Sequence, residues 1–141
     1  MTTLNDILFD RVAWQTILDT ERQVFQPLQP GAAIGFLPKW EFERQDGSMM
    51  VWVRGSGGMS VEYRPFSGFS EAGVDILFVA EEGAIQQMIA YAGDQPLTVI
   101  RQQIRHGKIL FYALKSNLDL EDLGLADFVD SVGIPFLGAC R

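Results

Sequence analysis

The fold is decided by the stretch VDILFVAEEGAIQQMIAYAGDQPLTVIRQQIRHGKILFYAL, residues 74–114. Residues 74–80 are an apolar run rich in β-branched and aromatic side chains, the pattern of a mostly buried strand. Glu81 and Glu82 follow in the first turn of a predicted helix, where the helix dipole favours negative charge. Residues 108–114 return as an apolar strand. The stretch therefore predicts two helices between two buried strands.

Both predicted helices carry apolar residues at helical spacing. These residues are Ile85, Met88 and Ile89 in the first helix, and Leu97, Ile100 and Ile104 in the second. A Gly-Asp-Gln-Pro step at residues 93–96 separates the helices, because glycine suits the position just past a helix end and the residue before proline is pushed out of α geometry. His106 and Gly107 close the second helix.

Three pieces of this stretch carry a resemblance to a known family: VDIL at residues 74–77, the helix at 84–92, and GKIL at 107–110. Their order is similar to that of the sterol carrier protein type 2 family of lipid-binding domains. The resemblance covers roughly residues 32–135. It implies a five-stranded sheet covered by helices, an apolar tunnel between them that takes lipids or fatty acyl chains, and no catalytic residues. The initial segment of this chain is longer and more aromatic than the resemblance implies.

The composition restricts the possible partners of the chain. Its 141 residues are enough for one domain with one core. A net charge of −7 argues against nucleic acid as a partner, because phosphate binding needs clustered Lys and Arg. The single cysteine, Cys140, excludes an internal disulfide and any CxxC metal or redox motif.

The sequence predicts a cytoplasmic protein without an integral membrane segment. No apolar run approaches the ~20 residues that a membrane-spanning helix needs. The first residues, MTTLNDILFD, carry acids where a signal peptide would carry a basic region.

Residues 1–31 are predicted to form a helical segment and linker before an α+β domain over residues 32–141. The helix covers residues 3–26, in two pieces, and ends before the breaker cluster of Pro27, Pro30 and Gly31. If its apolar stripe is wider than one domain can cover, the surplus is a surface for a homodimer or another protein partner. Otherwise the helix packs on its own sheet.

The sheet begins with a predicted antiparallel meander. Residues 33–44 alternate in polarity, and Pro38 indicates an edge strand or a bulge. A tight turn at residues 45–47 leads to a second strand at 49–54, and the glycine-rich turn at 55–58 leads to a third at 59–64. The predicted fold class is therefore α+β, with a mostly antiparallel five-stranded sheet and helices packed on one face around a hydrophobic cavity.

The candidate ligand-binding residues are those that would face the space between sheet and helices. They are Phe36, Trp40, Phe42, Trp52, Phe78, Ile85, Met88, Ile89, Ile100 and Ile104. Arg101 or His106 would hold a polar head group near the mouth of the cavity. Residue types of this kind usually fill a packed core, and the resemblance alone favours a cavity.

Polar residues give little sign of catalysis or metal binding. His106 is the only histidine, and no second His or Cys completes a zinc site. The acidic residues of the C-terminal part do not match the spacing of a calcium loop and are predicted to form a solvated face. Asp75 lies within an apolar strand; it would need Arg101, Arg105 or a ligand if it pointed inward, and we expect it to point outward. We predict no cofactor and no metal.

We expect non-catalytic binding or transfer of a lipid-like or fatty-acyl ligand, or of another apolar small molecule, in a tunnel between sheet and helices. An alternative is a protein-interaction or accessory module of the same fold, with a filled core, that docks through its N-terminal helix. A further alternative is a small enzyme in which His106 and an Asp act as acid and base.

Overall fold

The computed structural model describes residues 10–39, 48–66, 68, 73–90 and 96–132. This part of the chain contains five strands and six helices. The strands are β1 (Ala33–Pro38), β2 (Ser48–Arg54), β3 (Met59–Pro65), β4 (Ile76–Ala80) and β5 (Ile109–Ala113). The helices are α1 (Arg11–Thr20), α2 (Arg22–Phe25), α3 (Glu82–Ala90), α4 (Pro96–Arg105), α5 (Asn117–Asp122) and α6 (Ala126–Ser131).

Some of the sequence predictions fall outside the described residues. They concern residues 3–9 of the N-terminal helix, Trp40 and Phe42, the turn at 45–47, the helix break at 93–95 and the C-terminal residues 133–141 with Cys140. The side chain of Ile89 also lies outside the description.

The five strands form one mixed sheet in the order β3-β2-β1-β4-β5. The pairs β1–β2, β2–β3 and β4–β5 are antiparallel, and β1–β4 is parallel. The predicted fold class, α+β with a mostly antiparallel five-stranded sheet, is confirmed. The predicted hairpin turn at residues 55–58 is also confirmed, because Arg54 pairs with Met59 and the amide of Gly55 donates to the carbonyl of Gly58 at 2.8 Å.

Pro38 does not mark an edge strand, and that part of the prediction is wrong. β1 is the central strand, and all six of its residues are buried. Pro38 is its last residue, beyond Phe36, where the described pairing with β2 ends. The central strand β1 therefore accommodates Pro38 because this residue stands at the end of the strand, beyond the residues that pair with β2.

All six described helices pack on one face of the sheet, as predicted. Their buried apolar side chains belong to a single cluster with one set of strand residues, which we call the helix-face cluster. The helices contribute Trp14, Ile17, Leu18, Phe25, Ala84, Ile85, Met88, Leu97, Ile100, Leu120, Phe128 and Val129. The strands contribute Ile34, Phe36, Met50, Trp52, Val61, Ile76, Phe78, Ala80 and Ile109.

The opposite face of the sheet is also apolar and buried. Its cluster consists of Ala33, Leu37, Met49, Val51, Phe66, Val74, Leu77 and Val79. Phe66, which follows β3, therefore folds back onto the sheet. Burial on both faces explains why the central strands are continuous apolar runs rather than half-polar ones.

Asp75 points inward, and the prediction that it faces solvent is wrong. Its exposed fraction is 8%, and its carboxylate accepts a hydrogen bond from the amide of Ala33 at 2.8 Å. The amide of Asp75 in turn donates to the carbonyl of Ala33 at 2.9 Å. A backbone amide at the start of the parallel pair β1–β4 thus supplies a hydrogen bond to the buried carboxylate. This contact replaces the arginine that an inward carboxylate was expected to need.

The turn after α5 ties the last two helices to the linker that precedes β1. Gly124 has a φ of 80°, a conformation that residues with a side chain rarely adopt. It lies against the carbonyl group of Pro27, and the amide of Gln29 donates to the carbonyl of Leu123 at 2.9 Å. This close approach fixes α6 beside α2.

We expect Gly124→Ala to lower the free energy of unfolding by at least about 2 kcal/mol, because the left-handed backbone penalises a side chain and the new Cβ would collide with the carbonyl of Pro27. Urea unfolding measures the change. Gly57→Ala is the matched control, since a Cβ there meets nothing within 4 Å. Equal stability of the two variants would contradict the packing described for this turn.

Candidate functional site

The predicted ligand-binding residues that the structure describes form the centre of the helix-face cluster. The ring centroids of Phe36 and Trp52 lie 4.5 Å apart, and those of Phe36 and Phe78 lie 4.9 Å apart. Ile85, Met88 and Ile100 belong to the same cluster, and Ile104 packs against it while remaining partly exposed. The residues named here other than Ile104 are 0–1% exposed. They therefore contact protein atoms over almost all of their surface, and their role in ligand binding stays a prediction.

Arg101 and His106 lie on the outer side of α4 and its C-terminal turn. Arg101 is exposed, and its Nη2 donates to the carbonyl of Ser131 at 3.0 Å. This contact joins α4 to α6. His106 is exposed directly after α4, and its backbone amide donates to the carbonyl of Gln102 at 3.0 Å. Both residues therefore lie at the surface of the described structure. Arg101 links α4 to α6.

A groove lies elsewhere, between the helices α1 and α2 on one side and the β2–β3 turn on the other. It encloses about 550 Å³, within the range of ~300–1,000 Å³ that is usual for small-molecule sites. Its lining consists of Leu18, Asp19, Arg22, Gln23, Phe25, Gln26, Arg54, Gly57, Gly58 and Met59. We refer to this feature as the α1–α2 groove.

Apolar side chains of the protein interior lie directly behind the α1–α2 groove. Leu18 and Phe25 are 1% exposed and belong to the helix-face cluster, and Met59 packs against that cluster. The ring of Phe25 meets the indole of Trp52 edge to face, with centroids 5.9 Å apart. The ring of Phe25 therefore both lines the groove and contacts the indole of Trp52.

The rim of the groove carries two cations. Arg22 projects from the exposed side of α2, and Arg54 stands at the end of β2, partly buried. Asp19 is the acidic residue of the lining, and its Oδ1 accepts from Nε2 of Gln15 at 3.1 Å. The same Nε2 donates to the carbonyl of Met59 at 3.0 Å. The rim thus has a net positive charge in a chain whose net charge is −7.

One buried polar atom next to Phe25 has no hydrogen-bond partner among the described residues. Nε1 of Trp52 is inaccessible to solvent and makes no hydrogen bond within this part of the chain. Burial of an unpaired donor costs about 1–3 kcal/mol, and native proteins contain few such groups. The aromatic rings around this indole belong to Trp14, Phe25 and Phe36. Phenyl rings offer no lone-pair acceptor, so the two Phe neighbours leave this donor unsatisfied.

A second groove, of about 450 Å³, lies between the start of α3 and the end of α4. Its lining is mainly polar, with Glu81, Glu82, Gln87, Gln103 and Lys108. Nζ of Lys108 lies 3.7 Å from Oε2 of Glu81, so opposite charges already compensate each other there. The cation of this groove, Lys108, therefore already faces a carboxylate.

The described residues give no sign of a metal site or of a membrane span. Within them, no group of three His, Cys, Asp or Glu side chains could hold a metal ion. None of the helices in the described ranges has the length and apolar character needed to cross a membrane.

Sequence reasoning did not identify the α1–α2 groove. It predicted the helix ending before Pro27 and the turn at residues 55–58 separately, and both are present. The sequence contained no signal that would place these two segments opposite each other, because their contact depends on where α1 crosses β3. The positions of Arg22 and Arg54 in the sequence gave only a weak indication of a common groove.

Comparisons of this chain with protein-family models, with curated proteins and with solved structures find no match.

Glu21, which joins α1 to α2 behind the groove, gives a pH-dependent test of this region. Burial raises the pKa of the Glu21 carboxyl above its ordinary value. A raised folded-state pKa means that ionised Glu21 destabilises the fold above that pKa and that the penalty disappears as the pH falls through it. We therefore expect Glu21→Gln to raise the Tm at pH 7 and to match the wild type near pH 4.

Thermal unfolding at both pH values measures this effect. Glu82→Gln is the control, since Glu82 lies in the first turn of α3, where the helix dipole favours its charge. We expect this control to leave the Tm at pH 7 unchanged or slightly lower. A Tm gain of Glu21→Gln that is independent of pH would contradict the assigned cause.

Proposed function

We propose that this chain binds an amphipathic, lipid-like molecule with an anionic head group in the α1–α2 groove and does not transform it chemically. A fatty acid or a fatty-acyl compound has this chemistry. The observation that carries the proposal is the union of two features in one groove: apolar lining residues that belong to the helix-face cluster or pack against it, and two arginines at the rim.

The floor suits the apolar tail of such a ligand. Met59 presents part of its thioether side chain to the groove, and Leu18 and Phe25, each 1% exposed, lie directly behind that surface. Burial of a methylene group contributes about 0.8 kcal/mol, so a chain of several carbons gains appreciable affinity from this surface alone. Met59 adds adaptability, because its unbranched thioether side chain fits irregular apolar shapes.

The rim suits a carboxylate or phosphate head group. Guanidinium groups present planar sets of donors that match both anions, and Arg54 is partly buried, which strengthens its interaction with a charge. Asp19 keeps its negative charge, because the amide of Gln15 that donates to it is neutral, but the two arginines outweigh this charge. An anionic head group therefore meets donors on both sides of the groove, from α2 and from the end of β2.

The sequence also predicted a lipid-like ligand, which supports the proposal. The proposed site differs from the predicted one. The resemblance to sterol carrier domains implied a ligand between sheet and helices, and the sequence placed Arg101 or His106 at the mouth. In the proposal made here the mouth is formed by Arg22 and Arg54 instead, because apolar side chains of the interior lie directly behind their groove.

The alternative of an interaction module receives less support from the described residues. Trp14, Ile17 and Leu18 of α1 are buried against the protein's own sheet. Val12 is the one large apolar side chain of α1 that is well exposed, at 77%. A single exposed valine is a small surface for docking, so this alternative depends on residues 3–9, which lie outside the description.

Palmitate binding, measured by isothermal titration calorimetry, tests the proposal. We expect Arg22→Gln and Arg54→Gln each to weaken palmitate binding about 5-fold, the effect of losing roughly 1 kcal/mol of ionic interaction. Arg105→Gln is the matched control, because Arg105 is exposed at the end of α4 and does not line the groove. Hexadecanol, which has a neutral head group, should bind all four proteins alike.

Two results would overturn the proposal. One is absence of palmitate binding to the wild-type protein. The other is an equal loss of affinity in all three arginine variants, which would indicate a general effect of net charge rather than a head-group site.

A further inference from the structure

Trp52 is an unusual residue for a purely structural core. Its Nε1 is buried without an acceptor among the described residues, and the ring of Phe25, which lines the α1–α2 groove, packs against its indole. The centroids of these two rings lie 5.9 Å apart. An acceptor that arrives from the groove reaches this donor when the ring of Phe25 moves aside.

The surroundings of Trp52 restrict what that acceptor can be. Phe36 and Phe25 pack against the indole, and Trp14 lies 6.4 Å away between ring centroids. A charged group would lose its hydration in this apolar environment without a compensating cation. A neutral oxygen, such as a hydroxyl or a carbonyl group, accepts from an indole N–H at much lower cost.

We infer that the ligand of the α1–α2 groove carries a neutral oxygen on its apolar chain, as in a hydroxy or oxo fatty acid, and that this oxygen accepts a hydrogen bond from Nε1 of Trp52. This inference rests on the proposed function and specifies its substrate class. The ring of Phe25 turns aside to admit the chain, while Arg22 and Arg54 hold the anionic head group at the rim. Trp52 then selects chains that carry this oxygen over unsubstituted chains.

The selection requires a particular distance between head group and oxygen. The head group stays at the rim, and the oxygen must pass the thickness of one aromatic ring to reach the indole. Only some positions of a hydroxyl group along the chain place it beside Nε1. The preference is therefore expected for one or a few neighbouring positions and not for all.

The test compares stearic acid with a panel of hydroxystearic acids substituted at different positions, by calorimetric titration. We expect at least one hydroxystearic acid to bind the wild-type protein about 3- to 10-fold more tightly than stearic acid, the gain from one neutral hydrogen bond. Trp52→Phe should abolish this difference, because phenylalanine retains an aromatic ring and lacks the donor.

Trp14→Phe is the matched control. This substitution replaces another buried indole of the helix-face cluster with a phenyl ring and leaves Nε1 of Trp52 in place. We expect this variant to keep the preference for the hydroxylated chain. If both variants lose it equally, the preference comes from packing, and the role of the Trp52 donor is overturned.

A second measurement does not depend on the folding of any variant. In the ¹H–¹⁵N spectrum of the wild-type protein, the indole N–H signal of Trp52 should move downfield when the preferred hydroxystearic acid is added and should move less with stearic acid. Equal shifts with both ligands would overturn the inference, because the shift would then not depend on the hydroxyl group.

The outcomes separate this inference from the proposed function. If stearic acid binds and no hydroxystearic acid binds more tightly, the groove site stands and the role of Trp52 is wrong. If neither stearic acid nor any hydroxystearic acid binds, the proposed function fails, and the inference fails with it.

Discussion

The edge-to-face contact between Phe25 and Trp52 joins the short helix α2 to the centre of the sheet. A helix of four residues has no stability of its own, so its position depends on tertiary packing. Phe25 supplies this packing, since its ring also meets Phe128 of α6 at 5.4 Å. The close turn at Gly124 holds α6 in place against Pro27. One wall of the α1–α2 groove therefore depends on this chain of contacts.

The abundance of aromatic residues has two consequences for function. Stacked rings fill the space between sheet and helices, as the contacts of Phe36 with Trp52 and Phe78 illustrate. Because the interior is filled, the groove that we propose as the ligand site lies at the margin of the helical layer, between α1, α2 and the β2–β3 turn. The same packing leaves the indole donor of Trp52 without an acceptor among the described residues. The proposed site thus lies next to both apolar core side chains and a buried polar atom.

Local patterns in the sequence were sufficient to predict much of the fold. Residues 74–114 gave the strand, helix, helix, strand order because their periodicity and breakers act within a few residues. Asp75 could not be placed in this way, since its acceptor role depends on the amide of Ala33, which the parallel pairing of β1 and β4 brings beside it. The groove could not be predicted from the sequence for a similar reason. Arg22 and Arg54 come to line the same groove only through the packing of α1 on β3.

Photo-crosslinking with a fatty acid that carries a diazirine on its chain tests the central claim most directly. After irradiation of the complex and digestion, mass spectrometry identifies the labelled peptides. The account predicts label on the two segments that form the α1–α2 groove, residues 18–26 and 54–59. Label confined to the neighbourhood of Arg101 and His106, on α4, would place the ligand at the other end of the helical layer and would contradict the account.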